Sequence, residues 1–155
     1  MAPTLKPLML AAEEGLSVEM GPLERIVFKA GGPTTGGVFD LLEVTTQPGG
    51  GPPEHVHHRN DEANYVIEGA LRVKLGSDLF IAMPGSFFFV PRGIAHAFAN
   101  TGAEAARLLV MITPGGMQGY FEQLGPLLFG PPNEPEIARI LAQYNAEVIG
   151  PPLTT

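Results

Sequence analysis

The chain is 155 residues long, 45% hydrophobic and 16% charged, which suits one domain with a sizeable core and is the reverse of a disordered composition. Its 20 glycines and 16 prolines are about twice the usual share. These residues cost a helix interior about 1 and 3 kcal/mol against alanine, so a mainly helical protein is excluded in favour of a turn-rich β domain. The 9 basic and 16 acidic side chains give a net charge of −7, and the cations are scattered singly, so no basic face is present to replace the counterions of a nucleic acid.

In chain order, the opening MAPTLKPLML carries one lysine and an apolar stretch broken by Pro7, a poor secretory signal. No apolar run reaches the roughly 18 residues of a membrane span. With no cysteine available for disulfides, these features point to a cytoplasmic protein without a membrane partner. Short apolar runs between Gly/Pro turns predict strands over 23–29, 38–46, 55–59, 63–67, 71–75, 78–83, 86–90, 95–100 and 105–113. The brief EGA and GSD loops predict antiparallel hairpins. Phe87, Phe88 and Phe89 put rings on both faces of one strand, as a sheet packed on both sides requires.

After Thr113 the period changes. Met117, Phe121 and Leu124 predict one helix. Ile137, Ile140, Leu141 and Tyr144 predict a second, with Asn133 as its cap and Glu136 as capping-box partner. The intervening LGPLLFGPPNEP is too proline-rich for either element.

Three of the four histidines are His55, His57 and His58. Residues two apart on a strand share a face, so His55 and His57 stand side by side while His58 points away to the surface. Glu62 follows, and His96 lies on a separate predicted strand behind a Pro-Arg-Gly turn. Without thiolates, any metal rests on imidazole and carboxylate, and three imidazoles with one carboxylate suit Zn, Fe, Ni, Cu or Mn. A His-x-His pair by itself fits equally an exposed or locally hydrogen-bonded pair.

The spacing goes further. Gly49, five residues, His55, one, His57, four, Glu62, six, Gly69 is followed after fifteen residues by Gly85, five, Pro91, one, Gly93, two, His96, three, Asn100. These two runs match the two motifs of the cupin superfamily, and the sequence resembles a monocupin from about residue 38 to 113. The resemblance implies an all-β double-stranded β-helix (jelly-roll) barrel with two short C-terminal helices. It also implies a single domain over 1–155, with a barrel core at about 23–113 and a helical tail at about 114–155. Carried over by motif position, it implies that His55, His57, Glu62 and His96 hold one divalent transition metal. TPGGMQGYFEQLG and YNAEVIGPP, with HVHHRNDEANYVIEG and VPRGIAHAFANTG, are similar to bacterial quercetin 2,3-dioxygenase-like cupins.

That likeness implies a metal-dependent dioxygenase acting on an enolisable or phenolic small molecule, with Glu62 as ligand and general base. Strand parity places Asn64 and Val66 on the face of Glu62, and Phe98 on the face of His96, as pocket candidates. A non-redox isomerase, lyase or cyclase on the same scaffold, and a non-enzymatic ligand-binding module, are the alternatives. The resemblance also implies a homodimer, in which strand 23–29 either exchanges between copies or completes its own sheet.

Overall fold

The computed structural model describes residues 4–154. Eleven strands run in the order β1 (Leu16–Glu19), β2 (Glu24–Ala30), β3 (Asp40–Thr46), β4 (Pro53–His57), β5 (Asp61–Glu68), β6 (Leu71–Leu75), β7 (Asp78–Ala82), β8 (Phe87–Val90), β9 (His96–Asn100), β10 (Ala106–Thr113) and β11 (Ala146–Pro152). The helices are α1 (Gly32–Thr35), α2 (Gln118–Leu124) and α3 (Glu134–Gln143), with a 3-10 turn at Gly125–Phe129.

The strands form two antiparallel sheets, β1-β2-β3-β10-β5-β8 and β11-β4-β9-β6-β7. Alternation drives their packing. Leu42 and Val44 on β3, Val66 on β5, Leu71 and Val73 on β6, and Leu108, Val110 and Ile112 on β10 are buried in one cluster between the sheets. This is the expected jelly roll, and all nine predicted strands are present within one or two residues of their predicted ends.

Helices α2 and α3 lie against this core. Phe121 stacks edge-on to Phe28 of β2 at 5.9 Å, and Tyr144 edge-on to Tyr120 at 5.7 Å. Asp40, fully buried on β3, accepts hydrogen bonds from the backbone N–H groups of Gly116 (2.9 Å) and Met117 (2.7 Å). It thereby caps α2 from the barrel wall, since Met117 at the cap position supplies no side-chain acceptor.

Five expectations are corrected. The EGA loop is not a hairpin: β5 and β6 lie in different sheets, and only the GSD loop joins paired strands, β6 and β7. Gly69 makes this corner because its φ is +82° and a side chain there would come within 2.6 Å of the Ala106 Cβ. The outer rings on β8 are not packed on both sides: Phe87 and Phe89 are 64% and 50% exposed, because β8 is an edge strand whose outer face nothing among the described residues covers. The capping box of α3 is half made, for Asn133 accepts from the Glu136 N–H at 3.2 Å while the Glu136 carboxylate turns to Arg139 at 2.7 Å. The proline-rich joint holds the 3-10 turn, and the tail is not purely helical, since β11 adds to the edge of β4. Strand β2 completes its own sheet, paired with β1 and β3.

Candidate metal centre

His55 and His57 project from β4 towards the space between the sheets, and His96 opens β9 directly opposite His55 in the ladder. The ring centroids are 4.2 Å apart for His55 and His96, 4.9 Å for His55 and His57, and 5.7 Å for His57 and His96. One ring nitrogen from each lies within 4.8 Å of the other two, so the three can hold a metal ion. Local backbone orients two of them. The Nδ1 of His55 meets the Pro53 carbonyl at 2.8 Å, and that of His96 meets the Ile94 carbonyl at 3.0 Å. Each Nδ1 therefore carries a proton, and in the neutral ring each Nε2 keeps a free lone pair. The Nε2 of His96 is buried without a protein partner among the described residues, as a nitrogen reserved for a ligand would be.

The second turn aims His96. The Gly93 N–H donates to the His57 carbonyl at 2.8 Å, tying the turn that precedes β9 to the end of β4. Gly93 adopts φ +84°, a conformation only glycine takes freely. Asn100 ends β9 as read from sequence, accepting from the Gly102 N–H at 2.8 Å, and also reaches further, donating to the Thr46 and Glu104 carbonyls.

Glu62 enters from the other sheet, where it faces Val90 of β8 and Ile112 of β10. Its Oε2 lies 3.6 Å from His96 Nε2 and 3.8 Å from His57 Nε2, beside two of the three imidazoles. Burial opposes its charge, but the three imidazoles outweigh it and draw its carboxyl down to about 2. Burial pushes His55 down to about 3, reinforced by His96 and His57, and burial also lowers His57. For His96, burial is outweighed by the Glu62 carboxylate, which holds its pKa above the usual value. His55 and His57 are thus held neutral beside an ionised carboxylate, the forms that bind a divalent cation, and a metal ion binding there would displace the proton that Glu62 favours on His96.

Two further contributors escaped the sequence reading. Asp61 and Arg92 form a two-pronged ion pair at 3.0 Å, with the Arg92 N–H adding a third bond at 2.8 Å. This pair couples the residue before Glu62 to the turn before His96. Tyr120 on α2 stands edge-on to the His57 ring at 6.1 Å, buried, with its phenol pushed up to about 12 by burial and then by Glu62. The helical stripe of Met117, Phe121 and Leu124 gave the helix, but nothing local signals which barrel wall the intervening tyrosine meets. Of the predicted pocket residues, Asn64 and Val66 are fully buried between the sheets and Phe98 packs against the core. His58 turns outward to Glu147 of β11, as expected of a surface residue.

Residues 42–112, from β3 to β10, match the family described as Cupin domain. The chain contains a cupin domain. Among curated cupin relatives, it is 34% identical over 68 residues to polyketide synthase CurC of Streptomyces cyaneus, covering 44% of each chain. It is 24% identical over 119 residues to quercetin 2,3-dioxygenase of Bacillus subtilis, covering 77% of this chain and 35% of that protein. The cupin chain thus spans less than half the length of these relatives. Among solved structures, KdgF from Halomonas superposes with a TM-score of 0.65 at 20% identity, over 72% of this chain and 96% of that one.

Proposed function

We propose that this cupin is a metal-dependent dioxygenase acting on an enolisable or phenolic small molecule, with His55, His57, His96 and Glu62 as the metal ligands. The observation that carries the reading is the inward cluster of three imidazoles with a half-buried, ionised Glu62 beside two of them. The similarity to quercetin 2,3-dioxygenase supports it. A bound iron, nickel, manganese, copper or zinc ion would supply Lewis acidity towards a substrate hydroxyl and, for the redox metals, access to dioxygen. The chain's own residues do the rest. Glu62, a carboxylate at neutral pH, accepts the proton of a hydroxyl placed within hydrogen-bond reach. Tyr120, delivered by α2 and backed by Phe121, covers the side of the barrel near His57.

Metal analysis of protein purified without added metal, paired with oxygen-electrode traces on flavonols and catechols, tests this. The reading expects a redox metal and metal-dependent oxygen uptake. Stoichiometric zinc with flat traces for every aromatic enol sinks it. The higher identity to a polyketide synthase component favours a second reading, a non-redox isomerase, lyase or cyclase, and turnover unchanged under anaerobiosis would establish that one. A ligand recovered unchanged would mark a binding module.

No helix is long and apolar enough to cross a membrane among the described residues. A cytoplasmic location is proposed with this function, on the lack of cysteine, and fractionation checks it. A homodimer is proposed as well. Phe87, Tyr65 and Leu109 lie side by side across β8, β5 and β10, with Phe89, Ala63 and Met111 in the next row. Such a contiguous exposed apolar face suits a two-fold contact with a second copy.

A further inference from the structure

Five buried side-chain atoms lack a hydrogen-bond partner among the described residues: His57 Nδ1, His96 Nε2, Thr46 Oγ1, and both Nδ2 and Oδ1 of Asn64. The two imidazole nitrogens belong to the histidine cluster. Thr46 lies at the opposite end of β3, across from Glu24 and Ala106. Asn64 stands apart, because its whole amide is unpaired and the residue is 0% exposed. Its neighbours across the ladders are Val110 on β10 and Phe88 on β8, neither with a polar side-chain atom to offer.

The position is specific. Two residues beyond Glu62 on the same inward face, Asn64 sits roughly 7 Å further along the strand and deeper in the barrel. On the facing sheet Phe98 holds the matching place two residues beyond His96. Val66, next on the Asn64 face, shows what packing alone asks for here: an apolar side chain, fully buried. An amide that lowers stability at such a place calls for a partner outside the fold.

We propose that Asn64 hydrogen-bonds the small molecule that binds at the histidine cluster, donating from Nδ2 and accepting at Oδ1. This deepens the proposed function and rests on it only in that a small molecule binds there. The substrate class follows from the donor set. One oxygen function addresses the cluster and a second, neutral one, a hydroxyl or carbonyl roughly 7 Å further along the molecule, addresses Asn64. No lysine or arginine is buried among the described residues, so the deeper position does not take a carboxylate or phosphate. A polyhydroxylated aromatic fits, and an aromatic with a single enol function fits less well.

The test compares wild type with Asn64→Leu, a substitution close in shape and apolar. Metal content, the melting temperature without added ligand, and anaerobic binding of two probes, quercetin and 3-hydroxyflavone, are measured on metal-loaded protein. The expected result is unchanged metal content, a raised melting temperature in the variant, and quercetin bound about tenfold more weakly. The preference of wild type for quercetin over 3-hydroxyflavone should disappear. If both probes bind the variant as they bind wild type, or lose affinity equally, the proposal is overturned while the dioxygenase reading stands. A wild-type protein that loads metal and binds neither probe overturns both. Should Asn64→Leu not fold, Asn64→Val, smaller and likewise without a polar side-chain atom, carries the same comparison.

Discussion

Two imidazoles of the cluster share one local device and the third lacks it. His55 and His96 are fixed through Nδ1 by carbonyls two residues back, whereas the Nδ1 of His57 has no protein partner among the described residues. His96 is also the only ligand candidate that β9 contributes to the proposed site, so His96→Ala should remove most of the metal while the chain stays folded. Metal content and circular dichroism check this, and wild-type occupancy in the variant would refute the ligand assignment. At the far end of β2, burial raises the Glu24 carboxyl to about 7. With the folded pKa above the unfolded one, the stability associated with neutral Glu24 is fully present below about 4.5 and is lost as the pH rises through 7. Glu24→Gln should therefore stabilise the protein at pH 8, by on the order of 2 kcal/mol, and make little difference at pH 4, as urea titrations at the two values would show. That His55 and His57 share a face was legible because strand parity acts over two residues, whereas Glu62 and His96 were joined to them only through the resemblance to the two cupin motifs. Asn64 was legible as an inward position, but its lack of a partner depends on what β8 and β10 place beside it.

Among the elements, those bounded by local chemistry were readable and those defined by docking were not. The nine strands between residues 24 and 113 follow from apolar runs cut by Gly and Pro. Strands β1 and β11 exist because an edge accepts them, β2 for the first and β4 for the second, and β11 carries Gly150, Pro151 and Pro152, a composition that argues against a strand. Helix α2 is seven residues long, too short to persist alone, and its anchorage is Asp40. Asp40→Ala leaves two N–H groups without their acceptor, and the expected cost is about 2–4 kcal/mol. Hydrogen exchange should accelerate in α2 before the barrel strands. Equal acceleration throughout would show that α2 is not a separate unit. The Asp61–Arg92 pair belongs at this scale too. It joins the first residue of β5 to the turn after β8, 31 residues away in the chain, which is why no local pattern announced it.

For the molecule as a whole, the two sheets bury their inner faces on each other and leave one outer face apolar. Phe87→Lys combined with Phe89→Lys should convert a dimer to a monomer in sedimentation without lowering the melting temperature of the fold. A wild-type monomer at micromolar concentration would refute the dimer, and a dimer unaffected by both lysines would move the contact elsewhere. The second sheet has an inner seam. Where β6 and β9 share five ladder pairs, β4 and β9 share one, His55 with His96, flanked by the Gly93–His57 bond and by the bonds of Asn100 to Gly49 and Gly50. Under the proposed metal binding, the ion clasps this seam at its weakest rung. It joins segments roughly 40 residues apart in a chain without cysteine, a cross-link whose loop-closure entropy resembles that of a disulfide. Unlike a disulfide it is removable by a chelator, so metal-free protein should exchange its β4 and β9 amides early, and reloading should close them again.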